Sequence, residues 1–201
     1  MEKGGLVEAV QKVGVTSGHW LGCGDEMRIG LMSQVRRVWA PVGVKVVQKI
    51  AMAREWRYLA LVVNPSLGKL VWSWTPNMKK EAVAEQVKEW QWHKAGVQAV
   101  VWDRSGGHRS LHVRDVAQQL GVKLVQQPPY APELNPAERV FEELRRAVEG
   151  PLYADLNAKV AAVETALLQL AADPQRVKSL TAWRWIQQAY DALPSSNTAF
   201  L

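Results

Sequence analysis

The sequence predicts an α/β fold: one mixed sheet, three antiparallel strands followed by two parallel ones, with flanking helices and a C-terminal helical extension. Two strand-like runs, RYLALVV at 57–63 and KLVWSW at 69–74, are joined by NPSLG, whose Asn, Pro and Gly supply hairpin turn chemistry. Further along, helical periodicity alternates with short apolar runs, the pattern of strands joined in parallel through helical crossovers. From residue 151 onward only helical stripes remain.

Taken in order, HWLGCGDEMRIGL at 19–31 is the expected first strand, with Asp25 partway along it, and the hairpin supplies the next two. Val83, Val87 and Trp90 recur at helical spacing within 79–94, while Glu81, Glu85, Lys88 and Glu89 fall on other faces. VQAVVWD at 97–103 reads as a buried strand ending in an acid, and a short helix near 110–119 leads to the strand VKLVQ at 122–126. Pro128, Pro129 and Pro132 then force a stiff extended approach to a helix. Asn135 is its expected N-cap, Pro136 its first residue and Glu138 the reciprocal partner of a capping box, with Val140, Phe141, Leu144 and Val148 facing the core. Val160, Val163, Leu167 and Leu170 form the stripe of another helix that Asp173-Pro174 ends. A last helix is expected over 176–191, carrying Val177, Leu180, Trp183 and Tyr190.

At 201 residues, 48% of them apolar, the chain can bury one substantial core. LALVV at 59–63 is far shorter than a membrane span, and MEKGGLVEAVQ lacks the apolar region of a signal peptide, so a soluble, cytoplasmic protein with no membrane partner is expected. A lone Cys23 excludes an internal disulfide framework and a Cys-rich zinc site, and reads as a small buried hydrophobe. Most of the ten tryptophans are expected in the core. Charge is concentrated: between Arg28 and Arg57 seven Lys and Arg stand against Glu55 alone, an excess equal to the +6 of the whole chain. With Trp39 and Trp56 interleaved, that window suits phosphate contacts combined with stacking.

Three acids stand at the positions where such a sheet gathers ligands. Asp25 lies on the first strand, Asp103 at the carboxyl end of its expected neighbour, and Glu138 in the first turn of the helix that follows the next strand. Three unpaired carboxylates repel one another, and hard divalent cations, Mg²⁺ or Mn²⁺, resolve such a cluster. A pair of ions can activate water and stabilise the leaving oxygen of a phosphodiester. Strand alternation puts Glu26 on the face opposite Asp25, so only one of the two joins the cluster. Glu133 and Glu142 are weaker candidates.

The blocks GDEMRIGL at 24–31, VWDRSGGHRS at 101–110 and PPYAPELNPAERVFEEL at 128–144 resemble the three catalytic blocks of DDE transposases of the mariner superfamily, in particular the bacterial insertion-sequence enzymes. The 34 residues between Asp103 and Glu138 match that family's spacing, and VRRVWAPVG at 35–43 resembles its basic Trp-containing stretch. Gly106-Gly107 departs from the usual residues of the second block. The resemblance implies a ribonuclease-H-like core over 20–150, with Asp25, Asp103 and Glu138 as catalytic metal ligands for two Mg²⁺ or Mn²⁺ ions, and helices at 151–201 packed on it. It implies metal-dependent cleavage and strand transfer on transposon ends and target DNA, by a homodimer or with a separately encoded DNA-binding half, in a bacterial cytoplasm at the nucleoid. Arg28, Arg36, Arg37, Lys45, Arg104, His108 and Arg109 are the expected DNA contacts, with orientation of a metal ligand as the other reading of His108. Residues 1–19 leave no room for the helix-turn-helix region of the relatives. Two alternatives stand beside the enzyme: a truncated remnant that binds DNA or a full-length transposase without cutting, and a structure-selective nuclease on the same fold.

Overall fold

The computed structural model describes residues 5–17, 20–32, 39–47, 49–92, 96–128 and 132–194. After helix α1 (Gly5–Lys12) come strands β1 (Leu21–Gly30), β2 (Trp56–Asn64) and β3 (Lys69–Thr75), then α2 (Lys80–Trp92), β4 (Ala99–Trp102), α3 (Leu111–Gln119) and β5 (Lys123–Gln126). A 3-10 turn (Pro132–Leu134) leads into α4 (Ala137–Val148), followed by α5 (Leu156–Ala171), α6 (Pro174–Thr181) and α7 (Arg184–Asp191). Strand order is β3-β2-β1-β4-β5, with β1 antiparallel to β2, β2 antiparallel to β3, and β1, β4 and β5 mutually parallel. The mixed sheet is thus the one expected.

Alternation along β1 divides the core in two. Cys23, Met27 and Ile29 join Leu59, Leu61, Val101, Val140, Phe141, Leu144 and Val163 on the face covered by α1 and α4–α7. The other face packs Ala60, Val62, Val100 and Trp102 against Val83, Val87 and Trp90 of α2 and Val113 and Val116 of α3. Asp25 belongs to the first face by parity and Glu26 to the second. The β2–β3 turn is closed by Asn64, whose Oδ1 accepts from Leu67 N at 2.8 Å and whose carbonyl accepts from Gly68 N at 2.9 Å. Gly68 has φ +67°, and a Cβ there would run into the Pro174 carbonyl of α6, so glycine is required both for the turn and for the close approach.

Three expectations are corrected. The single helix over 176–191 is two, because Ala182 leaves helical geometry (φ −86°, ψ 62°) and Trp183 restarts the chain as the residue before α7. That break lets Ile186 and Ala189 turn inward independently of Val177 and Thr181. On α5 the buried stripe is Leu156, Lys159, Val163 and Leu167, with Val160 and Leu170 only half-buried. Lys159 is tolerated there because its Nζ donates to the Gly30 carbonyl at 2.7 Å while its stem packs. Among the described tryptophans only Trp90 and Trp102 are fully buried, whereas Trp20, Trp72, Trp74, Trp183 and Trp185 are half-buried and Trp39 is fully exposed.

Candidate active site

Asp25, Asp103 and Glu138 arrive from three elements at one end of the sheet. Asp25 sits mid-β1, where its register partner is Leu61 of β2. The parallel β4 ends at Trp102, so Asp103 is the first residue beyond the ladder. Glu138 lies in the first turn of α4. Asn135 joins them: its amide nitrogen donates to Asp25 Oδ2 at 3.0 Å and to the Gly24 carbonyl at 3.0 Å, while its Oδ1 accepts from Ala137 N at 3.1 Å. Asp25 Oδ1 accepts from Glu26 N at 2.8 Å. The expected capping box is therefore replaced. Asn135 is 1% exposed and bonded to β1 with one end and to the helix start with the other, and the Glu138 carboxylate lies 3.8 Å from Arg145 Nη1 instead of turning back to the cap.

Electrostatics distinguish the acids. Burial raises the Asp25 carboxyl to about 7, helped by the neighbouring charges of Glu26, Glu138 and Asp103 and opposed by the backbone hydrogen bond from Glu26. Asp103, half-exposed, is held below the ordinary carboxylate range, first by the hydrogen bond from His108. His108 Nδ1 lies 2.5 Å from Asp103 Oδ1, and its Nε2 lies 3.1 Å from Glu26 Oε2. Burial alone would lower the imidazole, but the bonds and charges of Asp103 and Glu26 outweigh it and raise His108 to about 9.

The expected DNA-contacting residues divide. Arg28 is exposed, its guanidinium 5.6 Å over the Trp56 ring, and Lys45 and Arg109 are exposed as well. Arg104 donates through Nε to the Gln127 carbonyl at 2.8 Å, bracing the strand ends with its side chain. His108 is a correction: 4% exposed, with both ring nitrogens engaged, it faces the interior and not a DNA surface. Arg36 and Arg37 lie outside the described residues. Glu142 pairs with Arg139 at 3.0 Å, on the solvent side of α4.

Sequence reasoning missed Glu26 as a buried partner, the double use of Asn135, and Arg145 and Lys159. The last two line, with Arg28, Glu26 and Glu149, a cleft of about 340 Å³ beside the acids. Parity on β1 did hint at Glu26, but nothing local could pair it with a histidine 82 residues away.

Among the described residues no three His, Cys, Asp or Glu side chains are gathered tightly enough to hold an ion. The chemistry of the set nevertheless fits a hard divalent cation. All three donors are carboxylates, and Asp25 ionises with difficulty first because it is buried and then because the groups around it are negative, a charge a cation would offset.

The DDE superfamily endonuclease family matches residues 21–158, a stretch that holds all three acids. The chain belongs to that family. It is 39% identical over 64 residues to the Tc1 transposase of Caenorhabditis elegans and 36% identical over 64 residues to the Tcb1 transposase of Caenorhabditis briggsae, covering 32% of this chain and 23% of either relative. The match thus spans about a quarter of the length of these curated relatives. In fold it is similar to the mariner Mos1 transposase in a paired-end complex with Mg, with a TM-score of 0.65 at 13% identity over 94% of this chain and 59% of that one. It is also similar to the catalytic core domain of BIV integrase, with a TM-score of 0.52 at 15% identity over 81% of this chain and 95% of that one. These likenesses establish the mixed α/β fold. No described helix is long and apolar enough to cross a membrane.

Proposed function

We propose that this chain is the catalytic part of a transposase, cutting DNA strands and transferring them with the help of divalent metal. Asp25, Asp103 and Glu138 would hold the metal, and the observation that carries the reading is Asp25: a buried carboxylate, raised to about 7, that feels both other acids across the end of the sheet. Two Mg²⁺ or Mn²⁺ ions, when bound, supply charge stabilisation and an activated water or hydroxyl at the phosphodiester. The protein's own part is positioning. Asn135 orients the Asp25 carboxylate from the start of α4, and the half-exposed Asp103 faces the substrate side. Arg28 and Arg145 line the adjacent cleft together with Glu26 and Glu149, and the two guanidiniums are suited to a phosphate backbone. In-line displacement of this kind needs no covalent protein intermediate. We assign the chain to the insertion-sequence branch on its GDE and VWD blocks, with residues 20–150 as the core, 151–201 as helices packed on it, and DNA and a second copy as partners.

The test is a Mn²⁺ titration of the wild type, Asp103→Asn and Glu138→Gln, following thermal stability and nicking of a labelled duplex. Metal-dependent stabilisation and nicking confined to the wild type are expected. Equal responses in all three with no cutting would discard the enzyme and leave a DNA-binding remnant.

A further inference from the structure

We propose that Glu26 and His108 are positioning residues that hold Asp103, a clamp built on the face of β1 opposite Asp25. The inference rests on the metal-dependent reading above. It begins with the place of Asp103, one residue beyond the end of β4, where the ladder no longer fixes the chain and its side chain is 49% exposed. An acid so placed keeps its rotamer freedom unless something outside the strand takes hold of it.

His108 takes hold of it. Its side chain is 3% exposed, and its Nδ1 meets Asp103 Oδ1 at 2.5 Å, an oxygen that also accepts from Ser105 N at 2.9 Å. The imidazole is fixed in turn from its other edge, where Nε2 lies 3.1 and 3.2 Å from the two Glu26 oxygens. A carboxylate only accepts, so a ring that bonds one at each nitrogen donates twice. The Glu26 side chain is only 6% exposed, and the imidazole is its counter-charge.

The ring plane is fixed as well. Trp102 stacks on His108 with centroids 3.7 Å apart and planes at 22°, and Trp90 supports Trp102 from behind at 5.0 Å. Trp102 reaches this position across Gly24, where a Cβ would stand 2.9 Å from Val100 Cγ1 and 3.4 Å from the Trp102 ring. The three residues Gly24-Asp25-Glu26 thus play different parts, since Gly24 admits the tryptophan, Asp25 faces the site and Glu26 anchors the histidine. A purely structural Glu26–His108 pair would not need its second nitrogen spent on a half-exposed acid.

Mn²⁺ affinity, read as free Mn²⁺ by electron paramagnetic resonance, tests the clamp in the wild type, Glu26→Ala, Glu26→Gln, His108→Ala, Glu26→Ala/His108→Ala and Asp103→Asn, with metal-free melting curves for each. Glu26→Ala and His108→Ala should each weaken binding by roughly 10–100-fold, as removal of a ligand's supporting partner does. Glu26→Gln should lose less in the same direction. With Glu26 holding the imidazole, its loss should add little once the imidazole is gone, so the double variant should bind close to His108→Ala alone. If Glu26→Ala does not fold, Glu26→Gln decides. Wild-type affinity in folded Glu26 variants, or additive losses in the double variant, would overturn the clamp alone provided Asp103→Asn abolishes binding. Binding indifferent to Asp103→Asn would overturn the metal reading and the clamp with it.

Discussion

Two corners of the sheet hold a carboxylate between two hydrogen-bond donors, and they behave in opposite ways. At the β3 margin, Glu164 of α5 accepts from Trp72 Nε1 with one oxygen and from Trp74 Nε1 with the other, both at 2.9 Å. In the middle of β1, Asp25 likewise accepts at both oxygens, from Glu26 N and Asn135 Nδ2. The difference is in what lies beyond the donors. Two indoles satisfy Glu164 and pin α5 to the sheet, whereas Asp25 is raised to about 7, first by burial and then by the charges of Glu26, Glu138 and Asp103. Satisfied hydrogen bonds do not by themselves make a carboxylate stable in its charged form. Burial first, and the neighbouring negative charges after it, make the ionised form of Asp25 costly.

The largest effect that should separate the corners is on catalysis. Asp25→Asn should reduce metal-dependent nicking by more than the roughly 100-fold typical of a supporting-residue change, while Glu164→Gln leaves nicking unchanged; a duplex-nicking assay with Mn²⁺ reads both. Equal losses would erase the distinction.

Stability should move in opposite directions. Without metal above pH 7, Asp25→Asn should stabilise the protein by on the order of 2 kcal/mol by removing a buried charge. Glu164→Ala should destabilise it by about 0.5–1.5 kcal/mol by removing two indole hydrogen bonds at a half-buried site. Urea unfolding of the three proteins measures both.

The pH profile sharpens this. Asp25 has a folded value of about 7 against 3.8 ordinarily, so its contribution is fully present below about pH 4 and is lost as pH rises through 7. His108, at about 9 against 6.5, contributes fully below about pH 6.5 and loses that contribution as pH rises through 9. Melting temperatures of the metal-free protein should therefore fall in two steps, the first deleted by Asp25→Asn and the second by His108→Gln. Mn²⁺ needs the ionised Asp25, so its thermal shift should grow as pH rises through the Asp25 value of about 7. Glu164→Gln should leave both steps in place.

The smallest effect concerns the thiol on the same strand. Burial pushes Cys23 up to about 12, so it should stay unmodified by a thiol-specific reagent in the native protein and react fully in denaturant.

The mixed sheet was legible because it depends on local pattern, apolar runs bounded by turn residues and helical periods between them, whereas Asp25, Asp103 and Glu138 were singled out by the likeness of their blocks to those of a known family. The partners of those acids were not. Asn135 looked like an ordinary N-cap because its cap bond is local, whereas its bonds to Gly24 and Asp25 cross more than a hundred residues. Lys159 broke an apolar stripe for a reason found only at the end of β1, in the Gly30 carbonyl. The helix over 176–191 kept its period through Ala182, and its break follows from where Ile186 and Ala189 must point.

The α/β order of elements and the sheet's mixed direction were written in the chain, since propensity and alternation are properties of the chain alone. What each carboxylate faces was settled only in three dimensions. Hydrogen bonds and fields act through space over a few ångströms, and the Glu26–His108–Asp103 contact exists only after β1, β4 and the loop before α3 have been brought together.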